Sequence, residues 1–526
     1  MMNHWNLKYT AMSATLTAAM LLSACGAQST ASVSAEESIM PADTPATTVA
    51  LAASTSEAES VNSDVFSKRD LSEEYDAAEA VTVILDGNAI RTSSDTVQIA
   101  GSTATITAAG TYIISGSLED GSIIVDAGEE DKVQLVLDGA SITSDTFAAI
   151  YVKQADKVFI SLADGTVSTL ENGGTFVQTD DNNVDGVIFS KEDLTINGTG
   201  TLIIRSSDGN GIVCKDDLVI TGGVYEITAA GHALETKDSI SIADGAFSLT
   251  SGKDGIHAEN GDDDTKGGIY ISGGDYTITS DGDGIDASGT LTVEGGSFSI
   301  TAGSGAASAP AKANAFGRWN TTTASSSDTV SAKGIKANGD LALKGGEYTI
   351  DAADDGIHTN ANLTISAGQY TIVSGDDGIH ADSLVQIDGS SITVTAYEGI
   401  EGNVIRINDG EIAISASDDG INAAKKSGTT PAIEINGGSV TVAVGAGDTD
   451  CIDSNGNLTI TGGTINVTGN STFDIDGSIT FTGGTVIVNG QQVNSIPSQM
   501  MGGRGGGRGN AGGMGGRGGG KGSWSM

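Results

Sequence analysis

The sequence predicts an all-β fold, a right-handed, single-stranded parallel β-helix with roughly 22 residues per coil. First, a Gly-Ile step inside an acidic stretch recurs, mostly every 21 or 22 residues, as in "ADDGIHT" (353–359) and "SDDGINA" (417–423). Second, strand-like runs around Gly-Gly, such as "IYISGGDYTIT" (269–279), keep the same period. Third, the repeats alternate with period two and show no sustained helical period. The right hand follows from the preference of parallel crossovers.

Composition narrows the class of protein. The chain has 526 residues, 75 Gly, only 5 Pro and a formal net charge of −43. High Gly with low Pro suits many tight turns and excludes collagen and Pro-rich linkers. The acidity excludes nucleic acid as a partner and favours cations, or ligands bridged by cations. One continuous solenoid, expected to be a monomer, accounts for the length.

The chain divides into four parts in order. Residues 1–24 predict a signal peptide, and Leu22-Ser23-Ala24-Cys25 resembles a bacterial lipobox. That resemblance implies lipidation of Cys25 and an extracellular lipoprotein anchored to the outer face of the cell membrane. Residues 25–80 predict a flexible tether. Residues 81–495 predict the β-helix, interrupted by an excursion loop at 303–330, and the Gly/Arg-rich residues 496–526 predict a disordered tail.

Stacked coils turn equivalent positions into columns. The central Ile of each repeat is expected to point inward, so the next residue points outward. We call these outward residues the strand column: Val213, Glu235, His257, Asp286, Lys336, His358, His380, Glu401, Asn422 and Asp453. We call the residues two before each Ile the corner column: Asn210, His232, Asp254, Asp283, Lys333, Asp355, Asp377, Glu398, Asp419 and Asp450. Together the two columns form the charged stripe.

The charged stripe predicts cation binding. Carboxylates in adjacent coils lie near 5 Å apart and repel by about 1 kcal/mol per pair in water. Lys333 and Lys336 supply part of the counter-charge. Ca²⁺ suits the remaining carboxylates, among which Asp286 and Asp453 belong to the strand column. The alternative is turn chemistry, in which each Asp only accepts backbone N–H groups.

A second calcium candidate lies before the regular coils. "DNNVDGVIFSKE" (181–192) matches the twelve-residue calcium-loop pattern, with ligands at Asp181, Asn183, Asp185 and Glu192. The flanks read as strands, which excludes an EF-hand fold but leaves an oxygen cluster possible. The alternative is a chance match among common turn residues.

Aromatic and histidine residues provide the sugar-binding candidates. The aromatics after Gly-Gly, such as Tyr276 and Phe298, predict an interior stack. Trp319 in the excursion loop and Tyr397 at a corner are the candidates for stacking on sugar. His358 and His380 share the strand column with His257 and indicate a repeated binding surface; a solvated ladder is the alternative. Zinc is not expected, because this column offers only two neighbouring histidines.

A family resemblance extends over about residues 81–490. The segments that carry it include "GTYIISGSLEDGSIIVDAGEEDKVQLVLDGASI" (110–142), "DGVIFSKEDLTINGTGTLII" (185–204) and the "DDGIHA" copies. They resemble the clostridial-type carbohydrate-binding domain family, secreted right-handed β-helices similar in shape to pectate lyases. The resemblance implies a calcium-binding surface protein for plant cell-wall polysaccharides such as cellulose or polygalacturonate, without established catalysis. It carries calcium to these positions: Asp254, Asp283, Asp355, Asp377, Asp419 and Asp450. Metal is doubtful where the same column has Asn210, His232 or Lys333.

Binding is favoured over catalysis, because acidic pairs recur in every coil whereas an active site is one constellation. The first alternative is a calcium-dependent polysaccharide lyase, in which a Lys or Arg takes the proton next to a uronate carboxylate. The second alternative is a surface adhesin or spacer.

Overall fold

The computed structural model describes residues 65–310, 331–446 and 449–497. These residues form 45 β-strands, numbered β1 to β45 in chain order, and one short 3₁₀ helix, Ala306–Ser308. The fold is the predicted parallel β-helix, with about 15 turns spaced by about 24 residues. The mean spacing exceeds 22 residues because several coils carry insertions. No helix in the described part of the chain is long and apolar enough to cross a membrane.

The first face of the solenoid contains the Gly-Ile strands, paired in parallel from coil to coil. We call it the B face, and its strands are β4 Thr103–Ile106, β6 Ser122–Asp126, β8 Ile150–Gln154, β11 Gly186–Ser190, β14 Asn210–Cys214, β17 Leu234–Thr236, β20 Ile256–Ala258, β23 Ile285–Ala287, β26 Ile335–Ala337, β29 Ile357–Thr359, the start of β32 Asp377–Ile387, the start of β34 Glu398–Ile407, β36 Ile421–Ala423, β39 Asp450–Ser454 and β42 Ser471–Ile475.

The second face, the C face, precedes Gly-Gly in each repeat. Its strands are the starts of β1 Val81–Gly87, β5 Gly110–Leu118 and β7 Lys132–Ser144, β9 Lys157–Leu162, β12 Asp193–Gly198, β15 Asp217–Ile220, β18 Ser239–Ile242, β21 Gly268–Ile271, β24 Leu291–Val293, β27 Leu341–Leu343, β30 Asn362–Ile365, the ends of β32 and β34, β37 Ala432–Ile435, β40 Asn457–Ile460 and β43 Ile479–Phe481.

The third face, the A face, follows Gly-Gly. Its strands are the ends of β1, β5 and β7, β10 Val167–Asn172, β13 Thr201–Ser206, β16 Val224–Ala229, β19 Ala246–Ser251, β22 Asp275–Ser280, β25 Ser297–Ala302, β28 Glu347–Ala352, β31 Gln369–Ser374, β33 Ser391–Ala396, β35 Glu411–Ala416, β38 Ser439–Val444, β41 Thr464–Thr468 and β44 Thr485–Val488. Short antiparallel strands pair with both ends of the solenoid: β2 Ala89–Arg91, β3 Val97–Ala100 and β45 Gln491–Val493.

The interior is a set of apolar ladders that extend along the axis. The central Ile residues of the B face are fully buried, as predicted from their place in acidic stretches. The predicted interior aromatic stack is also present. Neighbouring rings lie 4.6–4.8 Å apart and within 5° of parallel, in the order Tyr225, Phe247, Tyr276, Phe298, Tyr348 and Tyr370. Buried tyrosine hydroxyls donate to a carbonyl of the preceding turn, as Tyr276 does to Gly273 at 2.8 Å.

The Gly-Gly turn between the C and A faces needs its second glycine. Gly296 adopts a φ of +118°, a region that side chains with a Cβ rarely occupy. A Cβ at Gly296 would also lie 2.8 Å from the carbonyl oxygen of Gly274 in the coil before. The same turn therefore recurs in each coil because only glycine lets successive coils approach this closely.

Residues 65–80 differ from the predicted flexible tether. Phe66 is 2% exposed and packs against Val219, Ala243 and Tyr270 on the outside of the C face. Asp70 is also buried, although the period of the repeats does not include it. The tether prediction failed here because the partners of this segment lie more than 100 residues away. Residues 25–64 lie outside the described residues.

Candidate functional site

The aspartates of the corner column can serve both predicted roles, accepting backbone N–H groups and facing a side chain or a cation. In four coils, Oδ1 of a corner Asp accepts the backbone N–H of the next corner residue. The donor–acceptor pairs are Asp283 to Asp254 (2.7 Å), Lys333 to Asp283 (2.7 Å), Asp377 to Asp355 (3.1 Å) and Asp450 to Asp419 (2.8 Å). One oxygen thus provides turn chemistry, as the alternative interpretation expected. The other oxygen remains for a side chain or a cation.

The Gly-Ile step explains why the stripe is so regular. A Cβ at Gly334 would lie 2.4 Å from Ile350 Cγ2 and 2.5 Å from the carbonyl oxygen of Gly356. Glycine is therefore required for coil-to-coil contact at this position. The following Ile335 is buried, and Lys336 then faces outward beside Asp283 and Asp286.

Lysines neutralise the centre of the charged stripe. Lys336 Nζ lies 3.1 Å from Asp283 Oδ2 and 3.1 Å from Asp286 Oδ1. Burial lowers the pKa of Lys336, but the two carboxylates outweigh burial and raise it. Lys333 Nζ pairs with Asp354 and lies 2.9 Å from Asp355 Oδ2. Three of the predicted calcium ligands, Asp283, Asp286 and Asp355, therefore already hold an internal ammonium group.

The two histidines predicted to contact sugar, His358 and His380, both contact carboxylates of the charged stripe. His358 Nδ1 lies 2.8 Å from Asp355 Oδ2, and His380 Nδ1 lies 2.7 Å from Asp377 Oδ2 and 3.0 Å from Glu401 Oε2. Burial lowers the pKa of His380, but hydrogen bonds to the two carboxylates raise it to about 10. The His380 side chain is only 9% exposed, so the solvated ladder is not what the structure shows.

The C-terminal end of the charged stripe differs from its centre in how its carboxylates are neutralised. No Lys, Arg or His of the described residues forms an ion pair with Asp419 or Asp453. Burial raises the pKa of Asp419 to about 7, and Asp453 adds repulsion. Burial likewise raises the pKa of Asp453 to about 7, with repulsion from Asp450 and Asp474. This end is the part of the stripe with the least cationic compensation.

An amide oxygen completes the C-terminal group. Asn422 lies between Glu401 and Asp453 in the strand column. Asn422 Nδ2 donates a hydrogen bond to Glu398 Oε2 at 3.0 Å, so the other terminal atom of the amide is its oxygen. Asn422 Oδ1 is buried and accepts no hydrogen bond. A buried acceptor without a donor requires a partner, and a bound ion is one such partner.

The twelve-residue candidate at 181–192 does not come together as a calcium loop. Strand β11, five residues long, separates Asp185 from Glu192, and such a strand extends over about 16 Å. Asp181 and Asn183 lie on an exposed turn. Asp185 is half-buried, and its Oδ1 accepts no hydrogen bond. Glu192 therefore cannot serve as the twelfth ligand.

The remaining predicted site residues are Trp319, Cys25 and Tyr397. Trp319 and Cys25 lie outside the described residues, so both remain predictions. Tyr397 is half-buried beside the corner column. A hydrogen bond to Asp418, followed by burial, raises the pKa of Tyr397 to about 12. It offers only part of its ring to a ligand.

Sequence reasoning missed one pairing across the two columns. His232 of the corner column stacks on His257 of the strand column, with ring centroids 4.3 Å apart and planes 15° from parallel. Asp254 lies beside both rings. Each column was considered alone, so the two histidines were not expected to meet. The signal was present, because they belong to adjacent repeats.

Comparison with known proteins identifies the family. The model of the carbohydrate-binding domain-containing protein family matches residues 100–378 and 376–498, together well over half of the chain. A carbohydrate-binding domain-containing protein of Acetivibrio thermocellus is 37% identical over 150 residues, which is 28% of this chain and 52% of that protein. The chain therefore matches about half the length of this curated relative.

Among solved structures, a polysaccharide lyase-like protein from C. thermocellum, studied as a gadolinium derivative, is 34% identical. The match covers 42% of this chain and 91% of that chain, with a TM-score of 0.40. The resemblance read from the sequence is confirmed by the family match, which supports a carbohydrate-binding role. The chain belongs to the carbohydrate-binding domain-containing protein family.

Proposed function

We propose that this protein binds plant cell-wall polysaccharide at the cell surface, with Ca²⁺ held at the C-terminal end of the charged stripe. The observation that carries the proposal is the contrast along the stripe. Its centre is neutralised by lysine and histidine, whereas Asp419 and Asp453 have no such partner among the described residues. A divalent cation supplies the missing charge there.

The donor set fits calcium. Asp419, Asp453 and Asn422 offer oxygen atoms only, with Asp450 adjacent in the corner column. Ca²⁺ takes six to eight oxygen ligands in flexible geometry and accepts both carboxylates and amide oxygens. The raised pKa values of Asp419 and Asp453 have the same origin, since carboxylates crowded without a cation favour protonation. Calcium at this end of the stripe would bind the ionised forms.

The net charge of the chain indicates which polysaccharides need calcium in order to bind. An anionic polysaccharide such as polygalacturonate is repelled by a chain of net charge −43 unless a cation bridges the two. A bound Ca²⁺ with water-filled coordination positions provides that bridge. A neutral glucan such as cellulose needs no bridge, so its retention is expected to be independent of calcium.

The lyase alternative is disfavoured by the state of the basic residues. Lys333 and Lys336 are both paired with carboxylates, and neither is left to act as a base. Arg406 Nε lies 2.7 Å from Glu434 Oε2, and its Nη1 donates to Gln386 at 3.2 Å. Binding without catalysis is therefore the simpler function. The proposed surface location depends on lipidation of Cys25, which mass spectrometry of the membrane fraction tests directly.

The test measures calcium affinity and polysaccharide retention of the full-length chain. We expect Asp453→Asn to weaken Ca²⁺ binding in calorimetry by about tenfold or more, because one ligand charge is lost. The matched control is Asp275→Asn, an exposed acid on the A face. Wild type and control should be retained on polygalacturonate with calcium and released by chelator. Equal calcium affinity of Asp453→Asn and wild type, or retention that survives chelation, would contradict the proposal.

A further inference from the structure

Three side chains, those of His232, Asp254 and His257, meet where the columns contain histidine in adjacent coils, and Asp286 lies beside His257. Asp254 Oδ2 lies 3.2 Å from His232 Nδ1 and 3.0 Å from His257 Nδ1. Asp286 Oδ2 lies 3.3 Å from His257 Nδ1. These four side chains are each 10–14% exposed, so the cluster is shielded but reachable from solvent. Two imidazole nitrogens and the Asp254 carboxylate oxygen thus lie within 4.8 Å of one another.

One of these atoms has no adequate partner. His257 Nδ1 is buried and makes no hydrogen bond of acceptable geometry, although two carboxylate oxygens lie nearby. His232 Nδ1 accepts the backbone N–H of Asp254 at 3.2 Å and lies equally far, 3.2 Å, from Asp254 Oδ2. A buried nitrogen without a well-aligned hydrogen bond, beside a second imidazole nitrogen and a carboxylate, is an arrangement that a bound cation would satisfy.

The other histidine stack already contains its cation. His358 and His380 also stack, with ring centroids 4.6 Å apart. There, however, Lys333 Nζ lies 2.9 Å from Asp355 Oδ2, and Lys426 Nζ lies 2.7 Å from Glu401 Oε2. Among the described residues, no lysine or arginine forms an ion pair with Asp254. The carboxylate between the rings of the first stack therefore has no ammonium partner among the described residues, although Asp286 beside it pairs with Lys336.

We propose that His232, Asp254 and His257 form a binding site for a borderline divalent transition ion such as Zn²⁺, with a water molecule in the fourth position. The two separations from Asp254 Oδ2, 3.2 Å to His232 Nδ1 and 3.0 Å to His257 Nδ1, are close to the spacing between ligands in a tetrahedral zinc site, about 3.3 Å for bonds near 2.0–2.1 Å. Both rings must turn out of their stack to direct their lone pairs at one ion. That turn uses the torsion between an sp³ and an sp² carbon, which is broad and soft.

The site differs in chemistry and place from the proposed calcium cluster. Imidazole ligands select Zn²⁺, Cu²⁺ or Ni²⁺, whereas oxygen-only ligands select Ca²⁺ or Mg²⁺. Six coil steps separate His257 from Asn422, which is about 29 Å along the axis. Glu259 Oε2 lies 3.4 Å from His257 Nε2 and is in place to orient the ring when Nδ1 binds the ion. The two metals are thus expected to bind independently.

The test titrates the metal-free full-length chain with Zn²⁺ in calorimetry, in the presence of saturating Ca²⁺. We expect one zinc site in the wild type. His257→Gln should weaken zinc binding by more than the 10- to 100-fold that loss of an outer-shell partner costs. His358→Gln, taken from the lysine-neutralised stack, is the matched control and should bind zinc as the wild type does. Circular dichroism verifies that each variant is folded.

Cobalt provides the second measurement. Co²⁺ in place of zinc should produce visible absorption typical of tetrahedral coordination in the wild type and in His358→Gln, but not in His257→Gln. If His257→Gln fails to fold, His232→Gln removes the partner nitrogen and is judged by the same two measurements. Absence of zinc binding in the wild type, displacement of zinc by Ca²⁺, or wild-type affinity in the folded histidine variants would overturn the proposal.

Discussion

Lys336 is expected to stabilise the centre of the solenoid by neutralising two nearly buried carboxylates. The perturbation is Lys336→Gln, which removes the ammonium group but keeps a polar side chain. In the wild type, Nζ lies 3.1 Å from oxygens of both Asp283 and Asp286, whose side chains are 2% and 12% exposed. At an effective dielectric constant of 20, each pair attracts by about 5 kcal/mol before desolvation is subtracted. Loss of one partner from such a group costs about 3 kcal/mol net.

The pH dependence has a definite sign. Burial raises the pKa of Asp283, and Lys336 is the largest opposing influence. Without Lys336, the pKa of Asp283 in the folded state rises further above its unfolded value. The folded variant then binds more protons than the unfolded chain, so its stability falls as the pH rises through that raised pKa. The difference from the wild type should therefore be largest at pH 8 and should shrink toward pH 5.

Urea denaturation of the full-length chain, followed by far-ultraviolet circular dichroism, measures the effect. The control is Lys344→Gln, because Lys344 forms an exposed pair with Glu294 at 2.9 Å, which contributes only about 0–1 kcal/mol. Added Ca²⁺ should restore part of the lost stability in Lys336→Gln, since two uncompensated carboxylates then remain. A variant within 0.5 kcal/mol of the wild type at both pH 5 and pH 8 would refute the reasoning.

Two further predictions concern the core and the histidine stack. Phe298→Ala should lower the free energy of unfolding by about 3–5 kcal/mol in urea denaturation, because a buried ring between two stacked tyrosines is lost. The control Ser299→Ala, exposed on the same strand, should stay within about 0.5 kcal/mol of the wild type. Equal effects of the two substitutions would contradict the stabilising role of the stack. The protonated form of His380 is stabilised by Asp377 and Glu401, so its contribution is complete below about pH 6.5 and is lost as the pH rises toward 10. The urea midpoint of His380→Gln should accordingly change less than that of the wild type between pH 6 and pH 10. Parallel pH profiles of the two urea midpoints would exclude this role of His380.

The sequence alone was enough to predict the architecture. The repeated Gly-Ile and Gly-Gly steps, period-two alternation and the absence of helical period lead to parallel ladders with Ile inside. Residues such as Asp286 and Lys336 were placed side by side although 50 positions separate them, because the register of the repeats continues through the insertion. The interior aromatic stack followed from the same register.

The neutralisation of each carboxylate was decided by the tertiary structure. Periodicity places side chains in columns but does not predict that Asp254 contacts both His232 and His257, or that Lys333 forms an ion pair with Asp355. These contacts depend on how side chains from the corner and strand columns meet across adjacent coils.

The packing of residues 65–80 also depended on long-range contacts. Asp70 accepts a hydrogen bond from Thr195 at 2.6 Å, 125 residues away, and Lys157 Nζ lies 3.0 Å from it. No local pattern in "VFSKRDLSEEY" (65–75) indicates this, because its partners belong to other coils. The sequence by itself determined the repeating frame, since that frame needs only local alternation and glycine. Only the tertiary structure decided which acids remain available for a cation, because that depends on which partner each one meets across coils.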